Sequence, residues 1–325
     1  MDIENRRLRR EQRRREIRRR RRITAVAAAV LLALAGVLTA VLADRGGPSR
    51  GAAARARAGA PHDAAGHAGR VATSTARSSS AAAGPPGTTP VPILMYHVIA
   101  APPADAPFPG LYVTPAEFAD EMRSLKRAGW HAVTLDQVAA YWRRGISLGA
   151  GKPIVLTFDN GYQSQYTQAL PVLRALGWVA DENMQLSGLP PSQGGLGQQE
   201  IRGLVAAGWE LDTQGFTHAD LIRLDAEQLR HEVADSRAEM RRRYGVGVNW
   251  FCYPSGHYDA TVVAAVRAAG YLGSTTVIPG WAHHGDDSYR LHRLRVLGGT
   301  SGPQLLELLG STREDPPAPA SYGGA

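Results

Sequence analysis

The sequence predicts an α/β fold, a distorted (β/α) barrel, in its carboxyl-terminal two thirds. Short apolar runs suited to buried strands, such as Val91–Tyr96 and Ile154–Phe158, alternate with segments of helical periodicity. Strands separated by helices pair in parallel, which is typical of α/β domains. The alternation continues over about 220 residues, which favours one barrel over a two-domain enzyme.

Helix ends in this region are marked by capping residues. Thr114-Pro115-Ala116-Glu117 supplies an N-cap, a proline at N1 and a glutamate at N3, and Gly129 ends the helix. Asp225 and Asp259 cap two later helices. The further predicted helices are Tyr166–Leu176, one through Ile201 that ends near Gly208, one from 226 to Tyr244, and Ala260–Ala269. The further predicted strands are Trp130–Leu135, Val248–Phe251 and Tyr271–Val277.

The net charge of +8 belongs to a short amino-terminal tail. Residues 1–22 contain 12 arginines and four acidic residues, and the rest of the chain is balanced with 25 basic and 25 acidic side chains. The basic pI therefore does not indicate a nucleic-acid-binding domain. Cys252 is the single cysteine, which excludes an intrachain disulfide and a cysteine-rich zinc module.

A membrane anchor is predicted at residues 23–43, which carry no charge. About 20 residues of helix cross a bilayer, and the arginines before them should stay cytoplasmic. The predicted localisation is therefore a single-pass cell-membrane protein with its carboxyl-terminal domain outside the cytoplasm. A cleaved signal peptide is the alternative, because Val41-Leu42-Ala43 is similar to a cleavage site. Membrane lipid is thus one expected partner, and nucleic acid is not.

Low-complexity sequence separates the anchor from the folded domain. Residues 44–90 contain few large apolar side chains and are predicted to be a disordered linker. The domain is predicted to span 91–312, and residues 313–325, rich in Pro, Ala and Gly, are predicted to be disordered.

Polar clusters follow the predicted strands. They are His97, Thr157–Gly161, Thr213–His218 and Phe251–Gly256. In barrels of this class the carboxyl ends of the strands carry the chemistry, so these clusters predict the functional site.

The clusters and their order resemble the polysaccharide deacetylase family, the NodB-homology domains of carbohydrate esterase family 4. VPILMYH is similar to the opening strand of the family, TFDNG to its TFDDG motif, and TQGFTHADL to its SHTxTHPxL motif. FCYPSG is similar to its FRxPYG motif, and LHRLRV to its late arginine-bearing strand. The resemblance covers about Val91 to Leu309 and implies a NodB-type barrel.

The resemblance implies a metal-dependent hydrolase that removes acetyl groups from N-acetylated cell-wall glycan, peptidoglycan or exopolysaccharide. The expected cofactor is a divalent metal, usually zinc, that activates a water. Asp159 matches the general base and His218 a metal-binding histidine. The Tyr253-Pro254-Ser255 loop matches the one that lines the site and supplies a backbone amide to the oxyanion. His97 and Tyr162 are further candidates for substrate binding.

Three residues depart from the family pattern at the site. Asn160 replaces a metal-binding carboxylate, Gln214 replaces a metal-binding histidine, and Cys252 replaces the arginine that orients the catalytic aspartate. Neutral amide oxygens are poor zinc ligands, which leaves His218 as the single strong donor at a matched position.

Two hypotheses follow from these departures. One is an active deacetylase with a rebuilt metal site. The other is a catalytically silent protein that binds glycan as a scaffold or regulator. In the first case the replacement ligands would come from a small set of residues: His97, Asp212, His257, His283 and His284.

Overall fold

The computed structural model describes residues 84–189, 194–313 and 317–324. The predicted tail (1–22), the predicted anchor (23–43) and residues 44–83 of the predicted linker lie outside these ranges. Within the described ranges, no helix is both long enough and apolar enough to cross a bilayer.

Eight strands and eight α-helices make up the described domain. The strands are β1 (Ile93–Tyr96), β2 (Trp130–Val133), β3 (Lys152–Asp159), β4 (Asp181–Met184), β5 (Glu210–Thr213), β6 (Trp250–Cys252), β7 (Gly273–Thr275) and β8 (Leu294–Arg295). The helices are α1 (Pro115–Arg127), α2 (Leu135–Arg144), α3 (Leu170–Leu176), α4 (Gln198–Ala206), α5 (Ala226–Arg230), α6 (Ser236–Tyr244), α7 (Ala260–Ala268) and α8 (Gly302–Ser311).

All pairings between these strands are parallel, which confirms the predicted α/β class. The order is β7-β6-β5-β4-β3-β1-β8, and β2 pairs with the first half of β3. Between β7 and the segment before β8, Leu291 N donates to Ser274 O (3.0 Å) and Thr276 N donates to Leu291 O (2.9 Å). The sheet therefore curls into an open, distorted barrel whose last seam has few hydrogen bonds.

Aromatic rings fill the layer between the sheet and the helices around β3. Phe158 stacks on Trp209 with ring centroids 5.0 Å apart and on Tyr96 at 5.5 Å. Phe118 of α1 meets the ring of Tyr96 edge-on at 5.3 Å. This packing fixes the ends of β1 and β3, from which the cleft residues project.

Two predicted helices contain a stretch of π-helix. Gln165–Ala169 precedes α3, and His231–Asp235 joins α5 to α6. Gln165 Nε2 donates to the carbonyls of both His97 and Asp159 at 2.9 Å, so this stretch holds the ends of β1 and β3 together. Apolar periodicity locates the helices but does not reveal such local widening.

Residues beyond both predicted boundaries of the domain make backbone hydrogen bonds to it. Gly84 N donates to Arg144 O and Gly87 N to Tyr141 O, so the end of the predicted linker lies along α2. At the other end, Tyr258 and Tyr322 exchange backbone hydrogen bonds of 2.8 Å. In the part of these segments that the structure describes, Gly84, Gly87 and Tyr322 therefore make backbone hydrogen bonds to the domain.

Candidate functional site

A cleft of about 510 Å³ lies at the carboxyl ends of the strands. The residues that the sequence matches to the catalytic, metal and substrate positions of the family all line it except Pro254, which is buried. The site therefore lies where the polar clusters placed it, and the parallel sheet explains why they meet at one edge.

Asp159, the last residue of β3, is held by a buried arginine. Arg293 Nη1 donates to Asp159 Oδ1 at 2.7 Å and Nη2 donates to Oδ2 at 2.9 Å. Asn183 Nδ2 adds a third hydrogen bond to Oδ1 at 3.0 Å. Burial raises the pKa of Asp159, but Arg293 outweighs this and the pKa falls to about 2. Asp159 is therefore a carboxylate at neutral pH.

The interpretation of Cys252 as the loss of an orienting arginine needs correction. Arg293, immediately before β8, supplies the bidentate contact to Asp159. Cys252 Sγ accepts a hydrogen bond from Arg293 Nη2 at 3.2 Å. Burial raises the pKa of the Cys252 thiol to about 12, so it is a neutral packing residue and not a nucleophile.

His97, immediately after β1, faces Asp159. Its Nε2 lies 3.9 Å from Asp159 Oδ2. Burial lowers the pKa of His97 to about 4 although the nearby carboxylate favours the protonated ring. His97 is therefore neutral at neutral pH and can accept a hydrogen bond or proton from a ligand.

The positions expected to hold the metal contain two amides bonded to each other. Gln214 Oε1 accepts hydrogen bonds from the backbone N–H of Asn160 at 3.2 Å and from Asn160 Nδ2 at 3.1 Å. The side-chain oxygen that Gln214 could offer to a cation is thus already occupied by two donors. His218 lines the same cleft, and burial lowers its pKa.

This donor set does not fit zinc. Zinc sites in proteins use thiolate, imidazole and carboxylate ligands, and the three positions matched to the family's ligands here offer one imidazole and an amide pair. His97 and Asp159 also line the cleft, but among the described residues they do not converge with His218 into a group of three ligand atoms within 4.8 Å of one another. Asn160 and His218 both have left-handed backbones, with φ of 79° and 62°, so the loops keep a specific shape around the changed side chains.

The residues considered as replacement ligands, apart from His97, lie elsewhere. His257 Nδ1 contacts Asp220 Oδ1 at 2.9 Å behind the cleft wall. His283 and His284 line a separate pocket beside Trp142. Asp212, the third residue of β5, accepts a hydrogen bond from Trp250 N at 2.9 Å and does not line the cleft. The structure brings none of these four residues to His218.

The predicted substrate-binding residues have different environments. Tyr162 is half-buried and Ser255 is exposed with φ of 56°. Tyr253 is buried, and its hydroxyl donates to Tyr289 O at 2.9 Å. The Tyr253 backbone amide makes a long hydrogen bond of 3.4 Å to Thr275 O. Tyr162 and Ser255 therefore offer the side chains that a ligand can reach from solvent.

Sequence reasoning missed Glu232, which holds the loop before His218. Its Oε2 accepts the backbone N–H groups of Phe216 (2.7 Å) and Thr217 (2.9 Å), and its Oε1 accepts the Thr217 hydroxyl. Glu232 lies in the π-helical stretch between α5 and α6, which directs it toward the loop. No local sequence signal marks this role.

We expect Glu232→Ala to loosen this loop, because two backbone donors and one hydroxyl lose a charged acceptor. Each such bond contributes about 1.5–3 kcal/mol, so we expect a loss of several kcal/mol in the free energy of unfolding. Urea denaturation measures the loss, and hydrogen exchange at the Phe216 and Thr217 amides should accelerate. The exposed Glu227→Ala serves as the control, with a change within about 0.5 kcal/mol. Equal effects of the two substitutions would contradict this role.

The rim of the cleft also contains residues that the sequence did not single out. Phe108 is 68% exposed and Leu297 is 44% exposed, the two large hydrophobic side chains most accessible among the described residues. Arg295 lies beside them in the lining. The site thus combines a carboxylate, a neutral imidazole and amides at its base with an apolar rim, which suits hydrogen bonding to a polar ligand with apolar faces.

Comparison with known proteins agrees with this architecture. Residues 149–273 match the family model described as polysaccharide deacetylase. YxkH of Bacillus subtilis (strain 168), named as a candidate polysaccharide deacetylase, is 28% identical over 212 residues, which are 65% of this chain and 73% of YxkH. The crystal structure of BC0361, a polysaccharide deacetylase from Bacillus cereus, is similar with a TM-score of 0.61 and 27% identity, covering 68% of this chain and 69% of that one.

A shorter match involves an enzyme with a stated substrate. The poly-β-1,6-N-acetyl-D-glucosamine N-deacetylase of Escherichia coli (strain K12) is 43% identical over 56 residues. These residues are 17% of this chain and 8% of that enzyme.

Proposed function

Because this chain belongs to the polysaccharide deacetylase family, we propose that it binds an N-acetylated polysaccharide in the cleft and lacks the zinc-dependent deacetylation of the family. The observation that carries the proposal is the Asn160–Gln214 hydrogen bond, which joins two neutral amides where the family pattern places a carboxylate and a histidine. The active-deacetylase hypothesis is the alternative that the experiment below tests.

Several features support glycan binding. Asp159 is charged and His97 neutral at neutral pH, so they offer hydrogen-bond acceptors to sugar hydroxyl and acetamide N–H groups. The half-buried Tyr162 lines the same cleft and offers an aromatic face for a sugar ring. We propose poly-β-1,6-N-acetylglucosamine and peptidoglycan as the glycans to test first, the former because of the E. coli relative.

We also propose that the domain acts outside the cytoplasm on a tether. This rests on the uncharged segment 23–43 and on the arginines before it. Protease protection in intact cells tests the topology. Cleavage of the carboxyl-terminal domain by external protease is expected, and protection of that domain would contradict the proposed orientation.

The proposed function predicts binding without turnover. The full-length chain in detergent, incubated with β-1,6-linked N-acetylglucosamine oligosaccharides, chitooligosaccharides or peptidoglycan fragments and added zinc, is expected to release no acetate. At least one of these glycans should bind saturably in calorimetry, and Tyr162→Ala should weaken that binding by about two- to tenfold, since a stacked aromatic contact contributes about 0.5–1.5 kcal/mol. If the wild-type chain releases acetate with turnover and Asp159→Asn does not, the chain is an active deacetylase and the proposal is contradicted. No binding of any of the glycans would also contradict the proposal.

A further inference from the structure

Three carboxylates converge on the face of β4 and β5 that also carries Asn183, the register partner of Asp159. Asp181 begins β4, Glu210 begins β5 and is paired with it in register, and Asp212 lies two residues further on the same face. One carboxylate oxygen from each of the three lies within 4.8 Å of the others.

Each carboxylate has one oxygen anchored and the other without a donor group. The anchored oxygens accept backbone N–H groups: Leu135 to Asp181 Oδ1 (2.9 Å), Asp136 to Glu210 Oε2 (3.0 Å) and Trp250 to Asp212 Oδ1 (2.9 Å). The second oxygens, Asp181 Oδ2, Glu210 Oε1 and Asp212 Oδ2, are buried and accept no hydrogen bond from a donor group, although the carboxyls of Asp181 and Glu210 lie close enough to share a proton. Asp181 and Asp212 are fully buried residues, so solvent does not satisfy their free oxygens.

No positive side chain neutralises this group. Among the ion pairs of the described residues, none involves Asp181, Glu210 or Asp212. Asp136 adds a further carboxyl nearby, which accepts from Trp250 Nε1 at 3.1 Å. Buried carboxylates are ordinarily paired, metal-bound or protonated, because an isolated buried charge is costly.

We propose that Asp181, Glu210 and Asp212 form a binding site for a divalent hard cation, Ca²⁺, that ties together β4, β5 and the start of β6. The donors are all carboxylate oxygens, which calcium prefers, and calcium–oxygen distances of about 2.3–2.6 Å are compatible with oxygens this close together. Glu210 is partly exposed and gives the cation a path from solvent. None of the three residues lines the cleft, and the proposal does not rest on the proposed glycan binding.

Protons are the competing occupants of the same oxygens. Burial raises the pKa of Asp181 and Asp212 well above the usual range, and it raises that of Glu210 to about 7. A cation that binds here must therefore displace protons, and calcium binding has to be measured directly to distinguish the two.

Terbium luminescence and thermal unfolding test the site in the full-length chain. After chelator treatment and desalting at pH 7.5, we expect Tb³⁺ luminescence sensitised by Trp250, whose backbone N–H and indole contact Asp212 and Asp136. Excess Ca²⁺ should quench this luminescence, and Ca²⁺ at about 100 times its Kd should raise Tm by about 5–10 °C. Asp212→Asn should reduce the luminescence at least tenfold.

Glu182→Gln is the matched control. Glu182 is a fully buried carboxyl next to Asp181 on the opposite face of β4, so its replacement should leave the luminescence and the calcium shift unchanged. If the wild-type chain shows neither Trp-sensitised luminescence nor a calcium-dependent Tm, the carboxyls hold protons and the proposal is overturned. An equal response of Asp212→Asn and Glu182→Gln would overturn it as well. The wild-type measurements test calcium binding by the cluster even if Asp212→Asn fails to fold.

Discussion

Replacing Asn160 by Asp and Gln214 by His together is expected to raise the zinc affinity of the cleft by at least about a hundredfold. The double change removes the hydrogen bond between the two amides and supplies a carboxylate and an imidazole beside His218. Asp tolerates the left-handed backbone of Asn160, so the loop should keep its shape. Zinc titration with a competing chromophoric chelator, in millimolar calcium to occupy the Asp181–Asp212 cluster, measures the gain.

His218 provides the control for this gain. Adding His218→Ala to the double variant should return the zinc affinity to that of the wild-type chain, since three protein ligands are the usual minimum for a catalytic zinc site. A folded double variant with unchanged zinc affinity would show that Asn160 and Gln214 do not occupy the ligand positions.

Replacing Arg293 by Met is expected to lower the free energy of unfolding by about 3–5 kcal/mol at pH 7. The substitution leaves the carboxylate of Asp159 buried, with only Asn183 as a strong hydrogen-bond donor. Guanidinium denaturation measures the loss. Arg230→Met, which removes a surface ion pair with Asp235, is the control and should cost at most about 1 kcal/mol.

The stability lost on replacing Arg293 should depend on pH, because it arises from the charge of Asp159. In the wild-type chain the pKa of Asp159 is about 2, below the unfolded value of about 3.9, so ionised Asp159 stabilises the fold above pH 4 and this contribution is lost as the pH falls toward 2. Without Arg293, burial dominates, so the pKa of Asp159 should rise above its unfolded value. Protonation of Asp159 in the variant then removes the free-energy cost of the buried charge. The difference in free energy of unfolding between the wild-type chain and Arg293→Met should therefore decrease from pH 7 to pH 4. A constant difference would contradict the role assigned to Arg293.

The sequence predicted the fold class and most cleft residues because both depend on local patterns. Apolar runs followed by polar clusters, as in β3 and Asp159, locate strand ends, and a parallel sheet brings those ends to one edge. The strand β4 escaped prediction because its residues are Asp181-Glu182-Asn183-Met184, a polar run without strand periodicity that is nevertheless buried.

The remaining parts of the site depend on distant contacts. Arg293 and Asp159 are 134 residues apart, so the sequence suggested that Cys252 left the aspartate without an orienting arginine. Glu232 contacts the loop before His218 because it lies in a π-helical stretch, and the spacing of apolar residues does not indicate such a stretch. The Asp181–Asp212 cluster likewise requires the β4–β5 register, which spacing along the chain does not define.

The central claim is that the wild-type cleft does not hold zinc at His218. Anomalous diffraction at the zinc edge, from crystals of the wild-type protein equilibrated with zinc and millimolar calcium, tests it most directly. We predict no anomalous peak within about 2.0–2.3 Å of either ring nitrogen of His218. A fully occupied peak at that distance, coordinated also by Asn160, Gln214 or Asp159, would contradict the claim.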